Sequence, residues 1–334
     1  MKPFRYERPH DVGEAIALLD GSPHARFLGG GTNLVDLMKL GVDEPDVLVD
    51  VNRLGLEGTR RTAEGGVRIG AGTRNSDLAA DMIVRREYPV LSEALLAGAS
   101  GQVRNMATVG GNLLQRTRCR YFQDVTKPCN KRRPGSGCPA IDGEHHNLAI
   151  LGTSPACVAT HPSDMAVALA ALDAVVHVQG GRGSRAVPID DFYRLPGDRP
   201  DVDTTLDPGE LIVALELPPA PEGRRSRYRK VRERASFAFA AASVAAVVDV
   251  APDRTLRDVR LALGAVAHRP WRARTAEAEL TGARAESAAF RGAIEHELAA
   301  ARPLRDNGYK VPLVRNLVVS VLCELTDTDP EGAR

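Results

Sequence analysis

The residues best suited to chemistry in this chain of 334 residues are four cysteines, Cys119, Cys129, Cys138 and Cys157, spaced C-x9-C-x8-C-x18-C. They lie in and after RTRCRYFQDVTKPCNKRRPGSGCPA, a stretch with Pro128, Pro134, Gly135, Gly137 and Pro139, many Arg and Lys, and no sustained apolar period. A long irregular loop needs a reason to be ordered, and a metal centre can stand in for the core it lacks. Several chemistries are open to four thiols. Structural zinc pairs its ligands in close knuckles, and none occurs here. Disulfides need an oxidising compartment, whereas the N-terminus MKPFRYERPHDVGEAIALL has no apolar signal core. An iron–sulfur cluster takes four thiolates at varied spacing. Four unrelated buried thiols are the plainest alternative, opposed by the hydrophilic surroundings. Cys323, in the apolar helical pattern LVRNLVVSVLCEL, reads as a packed core residue.

Other elements must position such a loop. ARFLGGGTNLVDLMKLG reads as a strand, a turn at Gly29, Gly30 and Gly31, and a helix through Leu34, Leu37 and Met38. Glycines let backbone N–H groups converge on an anion, and a helix start adds its dipole. Residues 26 to 34 are therefore a candidate diphosphate cradle, with a plain tight turn capped by Thr32 as the alternative. Neither a Walker motif nor G-x-G-x-x-G is present. About 80 residues later ATVGGN supplies a second glycine turn with Thr108 and Asn112. Two such turns suit a dinucleotide gripped from two sides. THPSDMAVALAALDA places Ser163 and Asp164 as cap-like residues before an alanine-rich helix. Asp164 is either a first-turn carboxylate favoured by the dipole or a partner for a cofactor hydroxyl.

The remaining pattern predicts a helix at 11–20 and strands at 46–51, 174–180 and 210–218, with a strand, turn and helix over 66–80. It also predicts a helix at 91–99 and a strand-like NLAILG. PPAPEG reads as an interdomain linker. The basic run RRSRYRKVRERASF reads as a solvated strand face, or as one that brings Lys230 to a cofactor. Two long strands over 235–266 and helices at about 273–281, 285–301 and the C-terminus indicate a smaller α+β domain from about 225. Lys+Arg is 44 against Asp+Glu 43, a net charge of +1, which gives no electrostatic case for nucleic acid. No apolar run is long enough for a transmembrane helix.

Taken together, FLGGGTNLVDLMK, ATVGGNLLQ, THPSDMAVALAALDA, ELIVALELP and YRKVRER, in that order, resemble the flavin-binding subunit of the xanthine dehydrogenase and molybdenum hydroxylase family. With the cysteine loop, the chain is most similar to the periplasmic aldehyde oxidoreductase type, whose flavin subunit also carries a [4Fe–4S] cluster. The resemblance implies an α+β chain: a two-part α/β FAD-binding domain (PCMH-type) at 1–220, with the cluster loop at about 115–158, then a small α+β domain at 225–330. It implies FAD held by Arg26, Phe27, Leu28, Gly29, Gly30, Gly31, Thr32, Asn33 and Leu34, by Thr108, Gly110, Gly111 and Asn112, and by Asp164, Ile212 and Lys230. Cys119, Cys129, Cys138 and Cys157 would ligate the cluster. Arg118 and Arg120 would pair with either cofactor phosphate or cluster charge.

The implied function is electron transfer within an oxidoreductase. A large molybdenum-cofactor subunit oxidises an aldehyde, a small subunit with [2Fe–2S] clusters relays electrons, and this chain passes them from FAD to an acceptor. The assembly expected is a heterotrimer or a dimer of it, with no nucleic acid and no membrane insertion. No acid–base pair or catalytic triad is needed on this chain, because the cofactor carries the chemistry. Without a signal peptide the chain is expected in the cytoplasm, or in the periplasm if exported folded with a signal-bearing partner. The competing readings are a stand-alone FAD oxidoreductase and a zinc- or disulfide-stapled binding module.

Overall fold

The structure is a computed structural model that describes residues 1–220 and 222–329. Three sheets organise it. Arg5–Glu7, Val47–Asp50 and Ala25–Leu28 form a parallel sheet with Val47–Asp50 in the centre. Every position of Val47–Asp50 is buried, as expected of a central parallel strand covered on both faces. The helix Val12–Asp20 connects two of these strands. Its N-cap Asp11 accepts from the Glu14 backbone N–H at 2.8 Å, the satisfied helix start that a short acidic residue provides.

A five-stranded antiparallel sheet follows, in the order Thr59–Arg61, Val67–Gly70, Leu211–Leu217, Val175–Gly180, Gly183–Pro188. The third sheet has the order Trp271–Arg272, Leu256–Gly264, Ala242–Val250, Arg225–Val231, also antiparallel. Its strand Ala242–Val250 is apolar on both faces for a reason. Ala242, Val244, Ala246 and Val248 join a core with the helices Ser287–Leu298 and Lys310–Thr326, while Ala245 and Val247 point the other way. That second face packs against the helix Asp164–Ala171, which is buried from Met165 to Ala171. Its alanines let the helix sit close between two sheets. It starts beside two clefts, of about 240 and 360 Å³, both lined by Asp164.

Helices and mixed sheets thus combine as an α+β chain. Three local expectations are corrected. ATVGGN is not an open turn: Thr108 caps a short helix, Val109–Leu113, by accepting from Gly111 N–H at 3.2 Å. NLAILG forms no strand, because the N–H groups of Ile150 and Leu151 both turn to the Val266 carbonyl. The apolar run from Ser236 enters a strand only at Ala242, so SFAFA remains loop. The basic strand Arg225–Val231 is resolved by alternation. Arg227 and Arg229 share Glu324, and Arg227 also meets Glu93. Tyr228 and Lys230, on the other face, go inward.

Candidate functional site

The two glycine turns pack directly on each other. A Cβ on Gly30 would lie 1.9 Å from the Met106 carbonyl oxygen, and one on Gly29 would lie 2.7 Å from Thr108 Oγ1. Backbone on backbone at that range admits only glycine. Gly31 has φ +71°, which turns the chain into the helix Leu34–Lys39. The two turns therefore form a joint between segments 75 residues and more apart, and each fixes the other.

Around this joint lies a cleft of about 360 Å³ that reaches Thr32, Asn33, Gly111, Asn112, Asp164 and Lys230. A polar network fixes its walls. Asn33 Oδ1 accepts from Arg116 N–H at 2.9 Å, while its buried Nδ2 has no partner. Asn112 Oδ1 accepts from Ser163 Oγ at 2.6 Å and from Gln115 Nε2 at 2.8 Å. Ser163 in turn caps Asp164–Ala171 by accepting from Ala166 N–H at 3.0 Å. Asp164 accepts from Lys230 Nζ at 2.8 Å and from the Tyr228 hydroxyl. Lys230 also donates to the Ala97 carbonyl at 3.2 Å. Burial, then the Asp164 charge, hold the Tyr228 phenol well above its ordinary pKa, so it stays a neutral donor.

The orphaned Asn33 amide and the sterically obligate glycines are what a bound dinucleotide requires: free donors and close backbone approach. Of the other sequence-predicted positions, Arg26 and Phe27 lie in the strand before the turn, and Arg26 pairs with Asp43 at 3.4 Å. Leu28 completes that strand, Leu34 opens the helix, and Thr108 and Gly110 form the joint from below. Ile212 is 3% exposed in its strand and packs beneath Gly110 rather than lining the cleft. Sequence reasoning missed Tyr228, which donates to Asp164, and the exposed Phe237 and Phe239, which line the cleft. The alternation Tyr228, Arg229, Lys230 was the available signal for Tyr228.

Cys119, Cys129, Cys138 and Cys157 line one small cavity of about 10 Å³ with Phe122, Pro128 and Ala159. That is about the room one water needs. None of the four is in a disulfide. Among the described residues, no three His, Cys, Asp or Glu side chains converge as ligands of one metal ion. That geometry disfavours mononuclear zinc, which needs four donors around one point. In a cluster the thiolates hold separate irons. Cys138 shares a hydrogen bond with Cys157, which lowers the Cys138 pKa to about 6 and pushes the Cys157 thiol far up. Burial pushes the Cys119 thiol up as well. One thiolate is favoured there; several need positive charge among them, which a metal centre supplies. The donor set fits a cluster. The cavity as it stands, about 10 Å³, does not hold one.

Fold and cleft together define a flavin-binding subunit of the molybdopterin dehydrogenases. Residues 2–220 match the family described as FAD binding domain in molybdopterin dehydrogenase, and residues 226–325 match the CO dehydrogenase flavoprotein C-terminal domain. The chain belongs to this family of oxidoreductase flavin subunits. It is 52% identical over 326 residues to the aldehyde oxidoreductase FAD-binding subunit PaoB of Escherichia coli, covering 97% of this chain and 98% of that one. It is 32% identical to the glyceraldehyde dehydrogenase medium chain of Sulfolobus acidocaldarius, over 84% of this chain and 81% of that one. Among solved structures, the carbon monoxide dehydrogenase of Hydrogenophaga pseudoflava superposes with a TM-score of 0.76 at 28% identity, over 97% of each chain. No helix among the described residues is long and apolar enough to cross a membrane.

Proposed function

We propose that this chain is the FAD- and [4Fe–4S]-carrying subunit of an aldehyde-oxidising molybdenum enzyme, assembled with a large molybdenum-cofactor subunit and a small [2Fe–2S] subunit. The observation that carries the flavin half is the mutual packing of Gly30 on Met106 beside the cleft of Asn33, Asn112, Asp164 and Lys230. The high identity to an aldehyde oxidoreductase subunit supports the substrate class. The four cysteines around one cavity support the cluster.

Bound FAD would supply the exchange between one-electron and two-electron carriers. This chain's residues position it. Thr32, Gly111 and the Asn33 amide, which line the cleft at the glycine joint, would hold the cofactor. Asp164 is held against a helix start by Lys230 and Tyr228, so it presents a fixed carboxylate edge. Lys230, at 4% side-chain exposure, places a cation in a water-poor wall, where charge acts over a lower dielectric. Cys119, Cys129, Cys138 and Cys157 would hold the cluster and tie the irregular loop to the flavin domain. The test is anaerobic addition of an aldehyde to the assembled enzyme. Bleaching of the visible flavin band is expected, and released flavin should be FAD. An enzyme whose flavin stays oxidised while aldehyde is consumed would overturn the reading.

A further inference from the structure

Next to the cysteine loop lies a second cavity, of about 190 Å³, that none of the glycine turns reaches. Arg116, Lys131, His161, Asp203 and His268 converge on it from separate parts of the chain. Several of its wall residues carry donors with no acceptor. His161 Nδ1 accepts from Ser163 N–H at 3.3 Å, so the ring proton sits on Nε2. That Nε2 is closed off from solvent, and the Leu113 carbonyl lies near the ring without making a well-formed hydrogen bond to it. His268 is 8% exposed, and neither ring nitrogen has a partner; one of the two must carry a proton. Arg116 Nε donates to Asp203 at 2.8 Å, while its buried Nη2 donates to nothing. The Lys131 ammonium, 2% exposed, donates to the Pro200 carbonyl at 2.8 Å and to Asp203, leaving one N–H to spare.

Asp203 is the one carboxylate lining this cavity, and both cations already use it. The Tyr193 hydroxyl is spent on the Leu113 carbonyl at 3.0 Å. With neutral imidazoles Arg116, Lys131 and Asp203 sum to +1, with Lys131 shared with the neighbouring cysteine cavity. Water answers such a wall poorly, because each molecule brings two donors of its own. A group with several acceptors and a negative charge answers it in full.

We propose that this cavity is a binding site for a small oxyanion of the phosphate or sulfate class, held by Arg116, Lys131, His161 and His268. The anion adds a second tie between parts of the chain that Asp203 already joins through Arg116 and Lys131. Lys131 belongs to the cysteine loop. Arg116 fixes Asn33 through its backbone N–H. His161 closely precedes Asp164, which lines the flavin cleft. Occupancy of the site therefore braces the loop against the flavin domain.

The test uses the assembled enzyme. Crystals soaked in selenate should show an anomalous peak between Arg116 and His268. In solution, inorganic phosphate at matched ionic strength against chloride should raise the unfolding midpoint saturably by a few degrees, as binding to the native state requires. His268→Leu should abolish that rise while retaining FAD. An empty or water-filled cavity in the soaked crystal overturns the proposal. So does a peak without any solution effect, which is binding at crystal concentration only. A partner carboxylate seated in the cavity overturns it too. If His268→Leu fails to assemble, the crystal and the wild-type titration decide alone. Loss of FAD from the enzyme would count against the flavin reading and leave this one standing.

Discussion

A single methyl group should separate the two glycine turns. Gly30→Ala places Cβ against the Met106 carbonyl, 1.9 Å away, with backbone on both sides and no side chain free to move. Overpacking of this kind typically costs about 1–3 kcal/mol, and here it pries open the cofactor joint itself. The variant should purify with little flavin, quantified after release from the protein. Gly101→Ala, where nothing lies within 4 Å of the added carbon, should keep its flavin. Tyr228→Phe removes one of two donors from Asp164. A lost hydrogen bond to a charged group is worth about 1.5–3 kcal/mol, so FAD affinity should fall at least several-fold. Unchanged flavin affinity in Tyr228→Phe would remove Asp164 from the cofactor's reach. His177, in the five-stranded sheet, meets Glu216 on the adjacent strand at 3.0 Å.

At the scale of elements, the basic strand Arg225–Val231 shows how one run of charge splits into two jobs. Its outward arginines meet Glu93, Glu324 and Asp327 near the surface. Exposed pairs are worth roughly 0–1 kcal/mol each and are screened by salt. Glu324→Gln should therefore lower the urea midpoint slightly, and the difference should shrink at high salt. The inward Lys230 should behave differently: Lys230→Ala leaves Asp164 with a single donor and should weaken flavin binding whatever the salt. This division was legible in the sequence only through strand alternation. Regular elements with strong periodicity, such as Val12–Asp20 and Lys310–Thr326, were equally legible. The short helices Met82–Glu87 and Gly101–Met106 were not, because a helix of six residues has too little period to read. NLAILG looked like a strand because it is apolar; tertiary contacts with Val266 override that preference. The two glycine turns could be located beforehand. Their mutual contact could not, since it depends on how distant segments pack.

At the scale of the whole molecule, the cysteine loop and the last domain meet the flavin domain through buried polar groups. Burial pushes His161 to about 4 and His268 to about 3. Both lie below the ordinary histidine value, so the unfolded chain binds protons that the folded one refuses. Stability is then complete above about pH 6.5 and falls as the pH drops toward 4. In buffers free of oxyanions the loss should be on the order of 1 kcal/mol per histidine at about pH 5.5, read from denaturant midpoints. His268→Phe should flatten that slope. A slope unaltered by His268→Phe would mean other groups set the acid limit.

The central claim, a flavin and an iron–sulfur cluster on one chain, comes down to a single assay of anaerobically purified protein. FAD, iron and acid-labile sulfide are quantified on the same sample, for wild type and for Cys129→Ser. A flavin–cluster subunit should yield FAD with about four iron and four sulfide per chain in the wild type, the content of a cluster held by four thiolates. Cys129→Ser should lose the iron and sulfide and keep FAD. Flavin without iron in the wild type, or full iron in Cys129→Ser, would contradict the assignment of these cysteines.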